Sequence, residues 1–347
     1  MKSLLVVITL GFGLLAALIL AGPLVSDPAP RSVDLVDVSE GMADLAERVL
    51  RGTVHLDVRS QDGGEGVRGR SRGFGTGFVI DAVRGLVVTN QHVARAMDSS
   101  INVRLNDGRV TSGDVVAVDE KTDIAVVRIP PGFARHQLNW GDSDDLRPGN
   151  LVLTVGNPYE HQGTTSLGVI SGRERDDVEL PNGGFRDFLQ IDAFIDHGSS
   201  GGPLVDMHGQ VVGVNTAIYG QTWQGIGYAV PSQMALRVVA DLIEFGRARR
   251  GWLGIEGLSV TAQSAEGHDL DRPYGVEVRN LVAGGPAENG KILKNDVILE
   301  VNGREISSME NLRARIASFS PSETVRLKVW RDGVPLTLKV ILGEVEP

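Results

Sequence analysis

Gly198-Ser199-Ser200-Gly201-Gly202-Pro203-Leu204 places a serine hydroxyl inside a glycine turn, directly before an apolar segment. A serine attacks a carbonyl only when a base takes its proton and N–H groups bind the oxyanion that forms. Glycine permits the tight backbone that such a turn requires. The run therefore predicts a nucleophile at Ser200 and an oxyanion hole built from the N–H groups of Gly198 and Ser200. A flexible loop is the alternative for this composition.

A base and an orienting carboxylate occur earlier in the chain. His92 follows the apolar segment Leu86 to Thr89, and Asp123 precedes another that begins at Ile124. The order His, Asp, Ser is that of the chymotrypsin arrangement. In this chemistry the histidine takes the serine proton and returns it to the leaving amine, while the aspartate fixes the imidazole tautomer. A single histidine or turn aspartate is often structural, so the prediction depends on the three together.

Motifs along most of the chain resemble those of the HtrA family of envelope serine proteases. The protease motifs are Thr89-Asn90-Gln91-His92-Val93, Thr122-Asp123-Ile124-Ala125, Val155-Gly156-Asn157-Pro158, Phe188-Leu189-Gln190-Ile191-Asp192-Ala193 and Gly198 to Leu204. The motifs that resemble the family's single C-terminal PDZ domain are Trp252-Leu253-Gly254-Ile255, Gly285-Pro286-Ala287, Asn295-Asp296-Val297-Ile298 and Val301-Asn302-Gly303. Within the family, the chain most resembles the membrane-anchored, stress-sensing DegS type.

The predicted fold is mainly β: a chymotrypsin-like double β-barrel, then an α+β PDZ domain, with an N-terminal transmembrane helix. Short strands with turn signals recur from Thr53 to Ile129 and from Leu151 to Val230, as a pair of barrels requires. Helices are predicted at Ser39 to Val49 and Ser232 to Phe245. The predicted domains are a membrane anchor or signal peptide (1–26), a linker (27–38), a protease domain (39–248) and a PDZ domain (249–347).

Several positions depart from the family pattern or concern specificity. Ser199 and Gln91 stand where the family usually has asparagine. Phe194 stands at the expected floor of the S1 pocket, where a small residue is usual, and Ile218 matches a position that lines this pocket. Because the expected floor carries no acidic residue, a preference for aliphatic rather than basic P1 side chains is predicted. Packing in the core is the alternative for Ile218.

The resemblance implies that the PDZ domain binds the carboxyl terminus of an extended peptide, which it adds as a strand. The implied binding residues are Leu253, Gly254 and Ile255 for the peptide carboxylate, and Met309, Leu312 and Ile316 for an apolar side chain. The helical spacing of the latter three is also typical of plain core packing.

The polar segment Arg173 to Asp187 is predicted to be a surface loop. The resemblance implies that this loop senses the PDZ domain or a neighbouring protease and orders the oxyanion hole. Arg175 aligns best with the family's sensing arginine. An ordinary solvated charged segment is the alternative.

Composition excludes several classes of function. The formal net charge of −10 argues against nucleic-acid binding, which needs a basic face. The chain has no cysteine, which excludes disulfides, thiol catalysis and cysteine metal sites. Its histidines lack ligand-like spacing, so neither a metal nor another cofactor is expected.

The amino terminus predicts a membrane location. No residue from Ser3 to Ser26 is charged, and Leu4 to Ala21 as a helix would measure about 27 Å, close to one bilayer span. Lys2 precedes this run, which favours a cytoplasmic amino terminus and an exported remainder. A cleaved signal peptide is the alternative, although Ile19-Leu20-Ala21 fits a cleavage site poorly.

The sequence thus predicts a regulated serine endoprotease in the bacterial inner membrane, with its protease and PDZ domains in the periplasm. Its implied substrates are unfolded or regulatory envelope proteins, such as a membrane-bound anti-sigma factor. Its implied activators are C-terminal peptides of misfolded outer-membrane proteins. The resemblance implies a homotrimer, and the short segment Ser60 to Arg72 argues against larger cages. A proteolytically inactive, chaperone-like peptide binder is the alternative, which Ser199 and Phe194 favour.

Overall fold

A computed structural model describes residues 35–59, 72–95, 101–157, 163–175, 187–218 and 223–345. The chain divides into two compact units, Met1–Gly41 and Met42–Pro347. The second unit contains two closed β-barrels, followed by a smaller domain built around an open sheet.

The first barrel is antiparallel and has the strand order β1-β2-β3-β6-β5-β4, closed by pairing of β1 with β4. Its strands are β1 (Thr53–Arg59), β2 (Arg72–Asp81), β3 (Leu86–Asn90), β4 (Ile101–Leu105), β5 (Val110–Asp119) and β6 (Ile124–Arg128). Branched apolar side chains fill its interior, including Leu56, Val87, Val103 and Val127. Such residues pack well on a pleated surface.

The second barrel repeats this construction with the order β10-β11-β12-β9-β8-β7. Its strands are β7 (Leu151–Gly156), β8 (Thr164–Arg175), β9 (Phe188–Ile191), β10 (Pro203–Val205), β11 (Val211–Ile218) and β12 (Gly227–Pro231). Ile170, Ile191, Leu204 and Val212 lie in its core. The predicted double barrel is therefore confirmed.

Helices cover and connect the barrels. These are α1 (Leu35–Gly52), α2 (Gln91–Arg95) and α3 (Ser232–Phe245). Helix α3 has the predicted bounds and ends where Gly246 adopts a φ of 70°, a left-handed conformation that stops a helix. Helix α1 is longer than the predicted Ser39 to Val49, so residues 35–38, predicted as linker, are helical. Leu45 and Val49 of α1 pack in one apolar cluster with Leu242 of α3.

The C-terminal domain has a sheet with the order β14-β15-β16-β18-β19, on which β17 pairs with β16, and a separate pair, β13 with β20. The strands are β13 (Gly251–Trp252), β14 (Ile255–Ser259), β15 (Val276–Leu281), β16 (Val297–Val301), β17 (Arg304–Glu305), β18 (Thr324–Arg331), β19 (Val334–Ile341) and β20 (Gly343–Glu344). The helices are α4 (Ala262–Gly267), α5 (Pro286–Asn289) and α6 (Met309–Ala317). Strand β14 lies at one edge of the sheet.

The predicted membrane anchor or signal peptide, residues 1–26, lies outside the described residues. Within the described ranges, which begin at residue 35, no helix has both the length and the apolar character needed to cross a bilayer.

Candidate active site

Asp123 lies in the tight turn between β5 and β6, where its φ is 57°. Asp119, at the end of β5, accepts hydrogen bonds from the backbone N–H of Thr122 at 3.2 Å and from its hydroxyl at 2.5 Å. The Asp123 carbonyl accepts bonds from the Gln91 N–H at 3.0 Å and the Asn90 side chain at 2.9 Å. These bonds fix the turn against the end of β3 and the start of α2.

His92, in the first turn of α2, is bonded to the Asp123 carboxylate. Its Nδ1 lies 2.8 Å from Oδ2 and 3.0 Å from Oδ1, and its backbone N–H donates to Oδ1 at 2.9 Å. The Thr216 hydroxyl donates to Oδ2 at 2.5 Å. The carboxylate side chain is 10% exposed and the imidazole 49%. Because a carboxylate accepts only, it favours the tautomer with the proton on Nδ1 and leaves Nε2 free to accept.

Ser200 lies between β9 and β10 and faces the same cavity as His92. This cavity measures about 280 Å³, and its described lining is His92, Ile195, Asp196, His197, Ser200, Asn215 and Thr216. The Ser200 hydroxyl lies 3.5 Å from the Thr216 carbonyl oxygen, and no hydrogen bond joins it to His92 within the described residues. Such contacts are often open without substrate and close in the reacting complex. The residues predicted as nucleophile, base and carboxylate are thus brought together.

The turn from Asp196 to Ser199 precedes the nucleophile. It is closed by the Ser199 N–H, which donates to the Asp196 carbonyl at 2.8 Å, and Gly198 has a φ of 97°. A type II turn requires a positive φ at its third residue, which Gly198 supplies here. A Cβ atom on Gly198 would lie 2.5 Å from the Asn157 carbonyl oxygen, so glycine is required there. Neither the Gly198 nor the Ser200 N–H donates to an acceptor in the described parts of the chain.

Thr76, on β2, is a residue that sequence reasoning missed. It is fully buried, its hydroxyl donates to the Gly198 carbonyl at 2.6 Å, and its N–H donates to the Ser200 carbonyl at 2.9 Å. The same hydroxyl accepts from the Asn157 N–H at 3.0 Å. Thr76 therefore ties a strand of the first barrel to the turn of the second. The available signal was a polar residue between Gly75 and Gly77 in an apolar strand.

The atypical residues occupy defined places. Ser199 and Gln91 are buried, and the Ser199 hydroxyl accepts from the Asp196 N–H at 3.4 Å. The Phe194 ring packs edge-on against Trp223, with centroids 5.6 Å apart, and Phe194 is not among the described residues that line the cavity. The neighbouring Ile195 lines it instead. The side chain of Ile218 lies outside the described residues.

A carboxylate and an imidazole meet at the rim of this cavity. Asp196 accepts from the His197 N–H at 2.7 Å and lies 2.8 Å from its Nδ1. The His197 side chain is mostly exposed, whereas that of Asp196 is nearly buried. The first residues of the turn are thereby held to each other.

A second cavity, of about 300 Å³, lies between α6 and the segment from Gly251 to Ile255. Its lining includes all six residues predicted to bind peptide: Leu253, Gly254, Ile255, Met309, Leu312 and Ile316. Trp252 and Arg313 are among the other residues that line it. We call this cavity the C-terminal groove. The N–H groups of Leu253 and Gly254 donate to no acceptor within the described residues. Gly254 has a φ of 78°, which glycine adopts freely.

The start of the predicted sensing loop contacts the C-terminal domain through Glu174. The Glu174 carboxylate lies 3.8 Å from the Arg315 guanidinium on α6, and the nearby Asp144 lies 2.7 Å from Arg304. Arg175, predicted as the sensing residue, donates to Gln190 at 2.7 Å within the second barrel. Residues 176–186 lie outside the described ranges. Among the described residues of the loop, Glu174 therefore makes an ion pair with the C-terminal domain, whereas Arg175 bonds within the second barrel.

Asp187, at the other end of this loop, belongs to the same charged cluster. Burial raises the pKa of Asp187 to about 6, an effect opposed by the Arg315 cation and increased by the carboxylates of Glu174 and Asp144. Protonation near this pKa would remove a negative charge from the contact between the domains. Within the described residues, no group of three or more histidine, aspartate or glutamate side chains is placed to hold a metal.

Comparison with known families assigns both parts of the chain. Residues 75–214 match the trypsin-like peptidase domain, and residues 251–342 match the PDZ domain. A probable periplasmic serine endoprotease, DegP-like, from Chlamydia trachomatis is 34% identical over 90% of this chain and 69% of its own length. The periplasmic pH-dependent serine endoprotease DegQ of Escherichia coli is 37% identical over 78% of this chain and 59% of its own length.

Solved structures agree with this assignment. The HtrA-type protease AlgW, solved with a tripeptide, is 33% identical, with a TM-score of 0.68, over 88% of this chain and 97% of the solved one. A serine endoprotease from Yersinia pestis is 28% identical, with a TM-score of 0.55, over 87% of this chain and 98% of the solved one. The chain therefore belongs to the HtrA family of serine endoproteases, with a trypsin-like peptidase domain followed by one PDZ domain.

Proposed function

We propose that Ser200, His92 and Asp123 carry out peptide-bond hydrolysis as nucleophile, general base and orienting carboxylate. The observation that supports this most is the pair of short contacts between His92 Nδ1 and the Asp123 carboxylate at one wall of the cavity that Ser200 lines. His92 Nε2 takes the Ser200 proton as the hydroxyl attacks, and then gives it to the leaving amine. Water repeats the sequence to release the acyl group. These contacts do not favour the inactive, chaperone-like alternative.

The Gly198 and Ser200 N–H groups bind the oxyanion in this proposal. This proposal is supported by the finding that neither N–H group has another acceptor among the described residues. Removing one such donor typically costs about 3 kcal/mol of transition-state stabilisation. The Thr76 hydroxyl acts as a positioning group. It binds the Gly198 carbonyl and so fixes the orientation of the peptide unit between Gly198 and Ser199.

Thr76→Val should lower kcat about tenfold and leave KM nearly unchanged. Valine keeps the shape of threonine but cannot donate to the Gly198 carbonyl, so the turn loses the bond that fixes the oxyanion hole. Steady-state cleavage of a fluorogenic peptide measures both constants. Thr111→Val, on β5, is the matched control and should retain parental kinetics. An unchanged kcat in a folded Thr76→Val protein would contradict the positioning role.

We propose an S1 pocket that takes aliphatic side chains. Ile195 supplies one apolar wall, and Ile218 is the further lining residue expected from its position on β11. A pocket of this kind discriminates by only about 1–3 kcal/mol per methylene group.

We further propose DegS-type regulation, in which a peptide carboxyl terminus binds the C-terminal groove and activates the protease. The terminal carboxylate is held by the N–H groups of Leu253, Gly254 and Ile255, and the peptide pairs with the free edge of β14. Helix α6 supports the coupling, because it carries both the groove residues and Arg315, the ion-pair partner of Glu174. A peptide that shifts α6 weakens this ion pair and frees the loop that precedes β9.

A peptide with a free apolar carboxyl terminus should raise proteolysis about 5-fold to 150-fold, the range of a 1–3 kcal/mol coupling. Amidation of its terminus should weaken activation, because the groove then loses the carboxylate. Arg315→Ala should raise basal activity and reduce the fold-activation, since the interdomain ion pair is already broken. Casein cleavage at increasing peptide concentration measures both effects.

Arg272→Ala is the control for this experiment, because Arg272 pairs with Glu305 inside the PDZ domain. It should respond to peptide as the parent does. If Arg315→Ala also responded as the parent does, the ion pair with Glu174 would have no part in regulation.

The proposed setting is the periplasm, where the named relatives act, with residues 1–26 as an inner-membrane anchor. The uncharged run from Ser3 to Ser26 supports the anchor. The proposed substrates are unfolded or regulatory envelope proteins, including a membrane-bound anti-sigma factor. The proposed activators are C-terminal peptides of misfolded outer-membrane proteins, and the proposed assembly is a homotrimer.

A further inference from the structure

Arg313 is an exposed cation on the wall of an otherwise apolar groove. It lies on α6, on the face that also carries Met309, Leu312 and Ile316. Within the described residues its guanidinium forms no hydrogen bond and no ion pair, and Glu310, three residues earlier on the helix, lies beyond ion-pair distance. A guanidinium in this position is available to a ligand.

Most other arginines of this domain are already paired. Each forms an ion pair with a carboxylate: Arg272 with Glu305, Arg279 with Glu277, Arg304 with Asp144, Arg315 with Glu174 and Arg331 with Asp296. Arg326 lies on the exposed face of β18 and does not line the groove. Its guanidinium, like that of Arg313, has no partner among the described residues. The two residues therefore differ in location rather than in charge.

Packing contacts define the direction in which a peptide lies in the groove. The Met309 N–H donates to the Ser259 hydroxyl at 2.9 Å, which places the start of α6 beside the end of β14. At the other end, the Ile316 carbonyl oxygen lies 2.7 Å from where a Cβ atom on Gly251 would be. A peptide whose carboxylate sits at Leu253 and Gly254 therefore has its last residue near Ile316 and its earlier residues nearer Met309.

Helix and strand spacings locate the peptide residue that meets Arg313. Three residues of helix, from Arg313 to Ile316, span about 4.5 Å, and a strand rises about 3.3 Å per residue. Side chains alternate along a strand, so the last and the third-from-last peptide residues face α6. The last side chain enters the apolar pocket, which leaves the third-from-last residue closest to the guanidinium.

We propose that Arg313 selects peptides that carry aspartate or glutamate as the third residue from a free, apolar carboxyl terminus. This inference rests on the proposed function, because it takes the C-terminal groove to bind a peptide strand. Arginine pairs with carboxylates through two parallel hydrogen bonds. An acidic side chain is therefore favoured both by its charge and by the geometry of its two oxygens. For a partly exposed pair, the expected discrimination is about two- to fivefold in Kd.

The test uses the full chain with Ser200→Ala, so that bound peptides stay intact. Fluorescence anisotropy gives Kd for three labelled peptides that differ only in the third-from-last residue, which is glutamate, glutamine or lysine. The protein should bind them in that order of affinity, and added salt should reduce the differences. Arg313→Glu should reverse the order, whereas Arg326→Glu, with the same change in net charge, should keep it.

The outcomes separate this inference from the proposed function. If all three peptides bind Arg313→Glu as they bind the parent, Arg313 does not select the side chain. If Arg313→Ala weakens the three peptides by the same factor, the guanidinium holds the terminal carboxylate, and the inference is overturned. If the amidated glutamate peptide binds as tightly as the free acid, the proposed carboxylate site fails instead.

Discussion

Ser200→Ala should lower the kcat for peptide-bond cleavage by at least about 10⁴-fold while the protein stays folded. The substitution removes one hydroxyl from a cavity wall and no core volume, so the circular dichroism spectrum should not change. Digestion of β-casein measures the activity. A serine-reactive phosphonate should label the parent protein and leave Ser200→Ala unlabelled.

Ser199→Ala is the matched control for this prediction, because the two serines are adjacent in the same turn. Within the described parts of the chain, the Ser199 hydroxyl accepts only a 3.4 Å contact from the Asp196 N–H. Most activity and the phosphonate labelling should therefore remain. Labelling that persisted in Ser200→Ala but disappeared in Ser199→Ala would show that Ser199, and not Ser200, is the nucleophile.

Arg250→Ala should lower the free energy of unfolding by about 3–5 kcal/mol. Arg250 follows α3 and forms an ion pair with Asp119, and both side chains are only 9% exposed. Removing the guanidinium leaves a buried carboxylate without its cation, which costs more than the pair itself contributes. Urea denaturation followed by tryptophan fluorescence measures the loss.

Arg249→Ala provides the comparison, since Arg249 pairs with Glu344 and its side chain is 31% exposed. Its loss should lower the free energy of unfolding much less than the loss of Arg250 does. Asp119→Asn combined with Arg250→Met removes both buried charges and should recover much of the lost stability. Equal denaturation midpoints for Arg249→Ala and Arg250→Ala would show that the buried pair contributes no special stability.

The fold was predictable because its signals are local. Alternating apolar residues and turn signals predicted both barrels, and the bounds of α3 follow from the run between Pro231 and Gly246. Helix α1 was underestimated because its first turn has little apolar periodicity. Strand β5 carries a weaker signal, because much of it is exposed and lacks a clear apolar pattern.

The candidate site was predictable where chemistry demands particular residue types. His92, Asp123 and Ser200 stand in motifs that few other roles explain. Thr76 and Glu174 were missed because their importance comes from contacts between residues distant in the chain. Phe194 was predicted at the pocket floor from its position in the sequence, which does not reveal the contact of its ring with Trp223.

The bonds from Thr76 to Gly198 and Ser200 also bear on when the enzyme becomes active. Partners separated by more than 120 residues meet late in folding, because a large chain entropy is lost before their contact stabilises the fold. The first barrel leaves the ribosome before Ser200 has been synthesised. The proposed oxyanion hole can then be set only after both barrels have formed and docked, so a chain that is still being synthesised should be inactive.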